Sequence, residues 1–239
     1  MQRYFAKVMN RQVVLDEGDQ YHLLKVMRAR VGDEVEIVAE GRVYLSQVKC
    51  LKPLQIETLH VIKENNELKN DVVLIVSLLK GEKLDLVLQK ATELGVEEIV
   101  LLQSERSIAK IRGLDKDYKL ERYGRIVKEA AEQSKRTRIP LVYRVIKMHD
   151  LPEVEADIRL IAYEGAQGSS ASFLKAIKKA TPGQRISILI GPEGGFSPEE
   201  VNEATEYGYQ IVSLGRRILR AETASFYAMS VLASYLERK

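Results

Sequence analysis

Tryptophan is absent from the 239 residues, and cysteine occurs once, at position 50. One thiol cannot form a disulfide within the chain, so the fold relies on noncovalent packing. The segment from Met1 to Lys7 has no apolar run of the secretory type. Together these features lead us to expect a cytoplasmic protein. Histidine is scarce as well. His22, His60 and His149 stand far apart, and no His-x-x-x-His or Cys-x-x-Cys pattern occurs. A catalytic zinc and a Cys–His nucleophile pair are therefore not expected, and no metal is predicted. No stretch approaches the roughly 18 consecutive apolar residues of a membrane span. An excess of one charge is also lacking: 37 Lys and Arg face 34 Asp and Glu, a net charge of +3.

What cations there are cluster. From Gln103 to Arg138, eleven Lys and Arg face six Asp and Glu, and residues 1–30 hold six against three. The run Lys135-Arg136-Thr137-Arg138 offers contacts for phosphate. It equally suits a solvated helix end, where cations meet the negative end of the dipole.

Apolar patterning divides the chain. Residues 1 to about 52 read mostly as short strands. Gln12–Leu15 precedes an acidic turn, Tyr21–Met27 reads as a short helix, and Val31-Gly32-Asp33 as a turn. Val35, Ile37 and Ala39 alternate with charged residues, and Gly41-Arg42 closes a hairpin into Val43-Tyr44-Leu45. These strands around one helix predict a small β-barrel. The polar stretch Lys63–Asp71 marks a boundary, placing one domain at 1–70 and a second at 71–239. Beyond it strands alternate with helices. Val72–Val76, Ile99–Leu102, Ile158–Tyr163, Ile186–Ile190 and Gln210–Leu214 read as strands. Helices are expected from Leu84 to a Gly95 C-cap, over 117–134, 169–179 and 198–207, and from about Glu222 to Leu236. This alternation implies an α/β domain with a mostly parallel sheet.

Two stretches carry chemistry. In Ile190-Gly191-Pro192-Glu193-Gly194-Gly195-Phe196-Ser197-Pro198-Glu199-Glu200 a buried strand enters and a helix leaves. Ser197, Pro198 and Glu200 are accounted for by helix capping. Capping leaves Gly191, Glu193, Gly194 and Gly195 unexplained, and the glycines permit positive φ and close approach of a ligand. The spacing is neither a dinucleotide fingerprint nor a P-loop. Glu193 would repel a phosphate, which favours an uncharged or cationic ligand. The second stretch, Leu214-Gly215-Arg216-Arg217-Ile218-Leu219-Arg220-Ala221-Glu222-Thr223-Ala224, again joins a strand to a helix. Its arginines suit phosphates and base carbonyls. Glu222 also suits the helix dipole and a pair with Arg220.

Taken together these stretches resemble the 16S ribosomal RNA uridine-N3 methyltransferases, the RsmE family of the SPOUT superfamily. The resemblance extends to Lys80-Gly81-Glu82-Lys83, Gln89-Lys90-x-x-Glu93-Leu94-Gly95-Val96, Ser104-Glu105-Arg106-Ser107 and Glu132-Gln133-Ser134-x-Arg136-x-x-x-Pro140. It also takes in Arg3-Tyr4-Phe5, His22-Leu23-Leu24-x-Val26-x-Arg28 and Gly32-Asp33. It thus covers nearly the whole chain, in order. The resemblance implies an amino-terminal PUA-like barrel that helps bind RNA, and an α/β domain whose parallel sheet holds a deep trefoil knot, a rare exception to unknotted topology. It implies a homodimer that uses S-adenosylmethionine to methylate N3 of one uridine, number 1498, in 16S RNA of the small ribosomal subunit. By position, the cofactor would meet Ala162, Tyr163 and Glu164; Ile190, Gly191, Glu193, Gly194 and Gly195; and Leu214, Gly215, Ile218, Leu219, Arg220, Thr223 and Ala224. Arg220 and Glu222 are the catalytic candidates. Arg3, Arg28, Arg106, Arg136 and Arg138 are the RNA-binding candidates. Ala228, Val231, Leu232 and Tyr235 on the last helix serve either as a dimer contact or as a core face. Three other readings compete: an RNA-binding protein that keeps the fold without the chemistry, a methyltransferase acting on transfer RNA, and a nucleotide-binding enzyme, which Glu193 disfavours.

Overall fold

The computed structural model describes residues 1–111, 115–142, 144–166 and 172–238. They form two units, one made of residues 1–67 and 131–139, the other of 68–130 and 140–239. Among the described residues each unit carries one six-stranded sheet.

The first sheet contains β1 (Arg3–Phe5), β2 (Lys7–Met9), β3 (Gln12–Val14), β4 (Glu34–Ala39), β5 (Arg42–Leu51) and β6 (Leu54–Ile62). Its order is β1-β4-β5-β6-β3-β2. β1 runs parallel to β4 and the other pairs are antiparallel. Glu40 and Gly41, at φ 51° and 72°, make the positive-φ turn that joins β4 to β5, as expected of a tight hairpin. Alternate residues face inward, and Tyr4, Leu15, Leu23, Val35, Ile37, Val48 and Ile56 form the core. The acidic stretch caps the one helix: Asp16 accepts the Asp19 N–H at 2.8 Å, so the helix starts at α1 (Glu17–Tyr21), earlier than the expected Tyr21. It then widens into a π-helical turn over His22–Val26.

Two arginines expected to contact RNA are instead internal to this unit. Arg3 is 1% exposed. Its Nε donates to Glu36 (2.9 Å) and its Nη2 to Glu64 (2.7 Å), while Nη1 reaches the Lys135 and Arg136 carbonyls. Arg136, 2% exposed, donates through Nε and Nη2 to Glu67 Oε2. The other Glu67 oxygen accepts the Thr137 and Arg138 N–H groups at 2.7 and 3.2 Å. Arg3 and Arg136 are therefore not placed to meet phosphate, since both guanidinium groups are buried and spent on carboxylates. Burial alone would push the Glu67 carboxyl up, but the Arg136 and Thr137 hydrogen bonds and the Arg136 charge hold it below the usual carboxylate range. Glu36 is held down likewise against its burial, by Lys135 and Arg3.

The second sheet contains β7 (Val72–Ser77), β8 (Glu98–Leu102), β9 (Val145–Ile146), β10 (Ile158–Ala162), β11 (Ile186–Ile190) and β12 (Gln210–Val212). The order is β12-β10-β11-β7-β8-β9, parallel throughout. The helices are α2 (Lys83–Glu93), α3 (Asp115–Gln133), α4 (Phe173–Ile177), α5 (Pro198–Glu206) and α6 (Ala221–Leu236). The continuous apolar run of β7 is buried on both faces, as parallel strands covered by helices require. Leu74 and Val76 pack with Leu84, Leu88, Val127, Ile177 and Leu232. Val73 and Ile75 pack with Leu151, Leu189, Val201 and Ala204. Gly95, at φ 86°, ends α2 as expected. The start of the helix expected over 169–179 lies outside the described residues at Ser169–Ala171; the described part is α4. On α6, Ala228 and Leu232 are fully buried in this chain's own core, and Val231 and Tyr235 pack against it. β12 is an edge strand, yet α6, which follows it, packs on α2 and β11.

Candidate active site

Parallel sheets gather ligands beyond the carboxyl ends of their strands. Here the loops after the neighbouring strands β12, β10 and β11 enclose a cavity of about 170 Å³. From the end of β10 and its loop come Ala162, Tyr163 and Glu164; from the end of β11 and its loop Ile190, Gly191, Glu193 and Gly195; from the loop after β12 Leu214, Gly215, Ile218, Leu219 and Arg220, with Ala224 of α6. All are residues that the sequence placed with a ligand. Pro192, Arg217 and Ala221, inside the two loops read from the sequence, also line it, as do Phe196 and Ser213, which sequence reasoning missed. Phe196 is the instructive omission: a 2%-exposed ring directly after two glycines reads as core, and it is both core and cavity wall.

Gly194 and Thr223 do not line the cavity. Gly194 faces Arg106, whose Nη1 donates to its carbonyl at 3.3 Å. Nor does it take positive φ. That conformation belongs to Gly195, at φ 67°, where a Cβ would collide with Glu164 Oε1. The steric requirement thus sits one residue later than the sequence indicated.

Glu193 is anchored. Its Oε1 accepts Lys83 Nζ at 3.1 Å and the Lys80 N–H at 3.4 Å. Burial would raise its carboxyl, but hydrogen bonds from its own backbone, from Lys83 and from Lys80 hold it below the ordinary range. The same Lys83 Nζ stands 3.8 Å from Glu222 Oε2. One ammonium therefore joins the Gly191–Gly195 loop to the first turn of α6. Glu222 was expected to pair with Arg220 or act on substrate. Its nearest charged partner is Lys83 rather than Arg220, and it is not among the lining residues. Lys83 had no role assigned from sequence. The available signal was its place at a helix start within Lys80-Gly81-Glu82-Lys83, far in sequence from any carboxylate it could meet.

Arg220 is the N-cap residue of α6. Its carbonyl accepts the Ala224 N–H at 2.8 Å, and its side chain makes no capping bond. Arg216, Arg217 and Arg220 are exposed, and no described residue partners their guanidinium groups. Ile218 between them is 78% exposed. The site thus has apolar walls, many backbone amides, a fixed carboxylate–lysine lock, and cations at one side. Among the described residues, no group of three His, Cys, Asp or Glu side chains is placed to share a metal. Of the RNA candidates, Arg28, Arg106 and Arg138 are exposed, and Arg3 and Arg136 are buried.

Residues 66–233 match the model of the RNA methyltransferase domain family. Over 99% of its length the chain is 32% identical to ribosomal RNA small subunit methyltransferase E of Bacillus subtilis, covering 98% of that protein. The chain belongs to the ribosomal RNA small subunit methyltransferase E family. The protein of that name from Aquifex aeolicus is 32% identical over 93% of the chain and 94% of its own length. The crystal structure of ribosomal RNA small subunit methyltransferase E from Neisseria gonorrhoeae bound to S-adenosyl methionine superposes with a TM-score of 0.86 at 29% identity, over 98% of each chain. In this member of the methyltransferase E family the Gly191–Gly195 and Leu214–Ala224 motifs, distant in sequence, thus form two walls of one cavity.

Proposed function

We propose that the chain transfers the methyl group of S-adenosylmethionine to N3 of uridine 1498 in 16S ribosomal RNA of the small subunit. The observation that carries this reading is the cavity at the ends of β10, β11 and β12, built from the loops that carry the family motifs. Its chemistry suits a sulfonium nucleoside. Gly195, lacking a side chain, lets the Glu164 carboxylate lie against its backbone. That carboxylate has no partner among the described residues. Apolar Ile190, Leu219 and Ala224 complete the walls. When bound, the cofactor supplies an electrophilic methyl group.

The chain's own residues hold and polarise. The Lys83–Glu193 lock fixes the glycine loop and keeps the Glu193 charge neutralised. As the N3 proton of uracil passes to solvent water, negative charge spreads onto the two flanking carbonyl oxygens. Arg220, exposed beside the cavity and unpaired, is positioned to stabilise that charge as an oxyanion hole does. Glu222 acts at a distance, by holding Lys83. The first unit serves as the PUA-like RNA-binding barrel. The passage of the chain from edge strand β12 across to α6 on α2 supports a SPOUT trefoil knot. A homodimer follows from the same reading, with Tyr227, 42% exposed on α6, available to a partner.

The test is mass spectrometry of small-subunit RNA from cells with and without the protein, paired with methyl transfer by purified protein. Loss of one N3-methyluridine without the protein, restored on its return, is the expected result. Transfer to no small-subunit RNA overturns the reading.

A further inference from the structure

The segment Tyr21–Val31 contains Lys25, Arg28 and Arg30 and no carboxylate. All three cations are exposed, and no described residue pairs with their side chains. Between them lie large apolar side chains that face water: Tyr21 at 65% exposure, Val26 at 58%, Met27 at 49% and Val31 at 61%. The carboxylates next along the chain are Asp19, which is buried, and Asp33, which accepts the Arg30 N–H at 2.7 Å.

The segment is held firmly from beneath. Leu23 is 1% exposed in the core. His22 Nδ1 lies 2.9 Å from the Tyr4 hydroxyl, with the rings edge to face. Met27 N–H closes the wide turn on the His22 carbonyl at 2.9 Å, and Ala29 N–H reaches the Leu23 carbonyl at 3.1 Å. π-turns within helices recur at functional sites.

Arg28 adds an independent sign. It follows the C-cap Met27 and takes φ 54°, the left-handed conformation that usually falls to glycine or asparagine at this place. Its exposed side chain gains no partner that would offset the strain. Backbone strain kept at an exposed residue points to a use for the side chain.

We infer that Tyr21–Val31 is a platform for an unpaired stretch of RNA, with a base stacked on Tyr21 and neighbouring phosphates held by Lys25, Arg28 and Arg30. Aromatic faces interleaved with unpaired cations are what single-stranded nucleic acid needs, since every base offers a flat apolar face and every linkage a negative charge. A duplex keeps its bases stacked on one another and would leave Tyr21 unused. This inference rests on the reading of the chain as an RNA methyltransferase and names the form of RNA it grips.

The experiment measures binding of a labelled single-stranded RNA oligonucleotide, and of a duplex of equal length, to the full chain at several salt concentrations. Tyr21→Ala is expected to weaken single-strand binding at least about fivefold and to leave duplex binding unchanged, while Tyr21→Phe retains the parent affinity. Arg28→Gly is the decisive variant, because it relaxes the backbone as it removes the cation. It is expected to keep or raise the melting temperature while flattening the log–log salt slope by about 0.7. Unchanged single-strand affinity in both Tyr21→Ala and Arg28→Gly overturns the inference. So does an equal loss on duplex, or a change of oligomeric mass in Tyr21→Ala, which would assign the face to a second copy. These binding arms stand apart from the methyl-transfer assay: a chain that binds the oligonucleotide through Tyr21 yet methylates no small-subunit RNA would remove the proposed function and leave the platform in place.

Discussion

Arg220 ends a loop and begins a helix, so its backbone is fixed while its guanidinium group stays uncommitted. A charge-stabilising role predicts a selective defect. In single turnover at saturating cofactor and RNA, Arg220→Ala should slow methyl transfer by about 100-fold, with cofactor affinity little changed. A rate within about threefold of the parent, under 1 kcal/mol of barrier, would remove Arg220 from the chemistry. Lys83 makes a different prediction, because it holds loops and lies between Glu193 and Glu222. Its side chain is 38% exposed, so solvent screens the pair and the effect is modest. Lys83→Met should weaken cofactor binding about two- to fivefold, with Lys83→Arg restoring most of it; calorimetry reads both. At the glycines the two positions separate. Gly195→Ala places a Cβ against Glu164 at positive φ and should weaken cofactor binding. Gly194→Ala meets Arg106, its Cβ at 3.3 Å and its carbonyl oxygen at 3.7 Å, and should be tolerated.

At the scale of elements, what the sequence made legible follows from physics that acts locally. β7, β8 and β11 were readable because strands buried on both faces must be apolar along their whole length. α5 was readable because Ser197 and Glu200 cap it, and both capping hydrogen bonds are present. Three loops of the cavity were legible through their glycines and family motifs. What was hidden depends on partners distant in the chain. β6 carries Glu57 and His60 among its apolar residues, and only its long pairing with β5 makes it a strand. In the basic run Lys135–Arg138, the pairing of Lys135 and Arg136 was hidden for the same reason. A count of charges along a segment does not include Glu36 or Glu67, about 70 to 100 residues earlier. The resulting cluster has a measurable consequence. Glu67 titrates below its unfolded value of about 4.3, so its contribution is complete above that value and is lost as pH falls through the depressed folded value. Melting temperature followed from pH 6 to pH 3 should therefore drop in acid, and Glu67→Gln should flatten that drop. At pH 7 the same variant leaves the Arg136 guanidinium short of its counter-charge and should cost about 3 kcal/mol.

For the whole molecule, the resemblance and the exposed Tyr227 predict a dimer. Sedimentation at working concentration should return twice the chain mass, and a monomer with full activity would contradict it. A second consequence comes from the short stretch 131–139, which belongs with the amino-terminal residues although more than sixty residues of the other unit precede it. The first unit is therefore not portable as a piece of sequence. Excised at residue 67, it would keep the Arg3–Glu36 pair but lose Lys135 from Glu36 and Arg136 from Glu67, leaving the Glu67 charge stranded. Such a fragment should remain unfolded alone, and a synthetic peptide spanning 131–139 should restore its structure. Any exchange of this unit between relatives has two inheritances to keep together, the first sixty-seven residues and the nine that complete their charge balance.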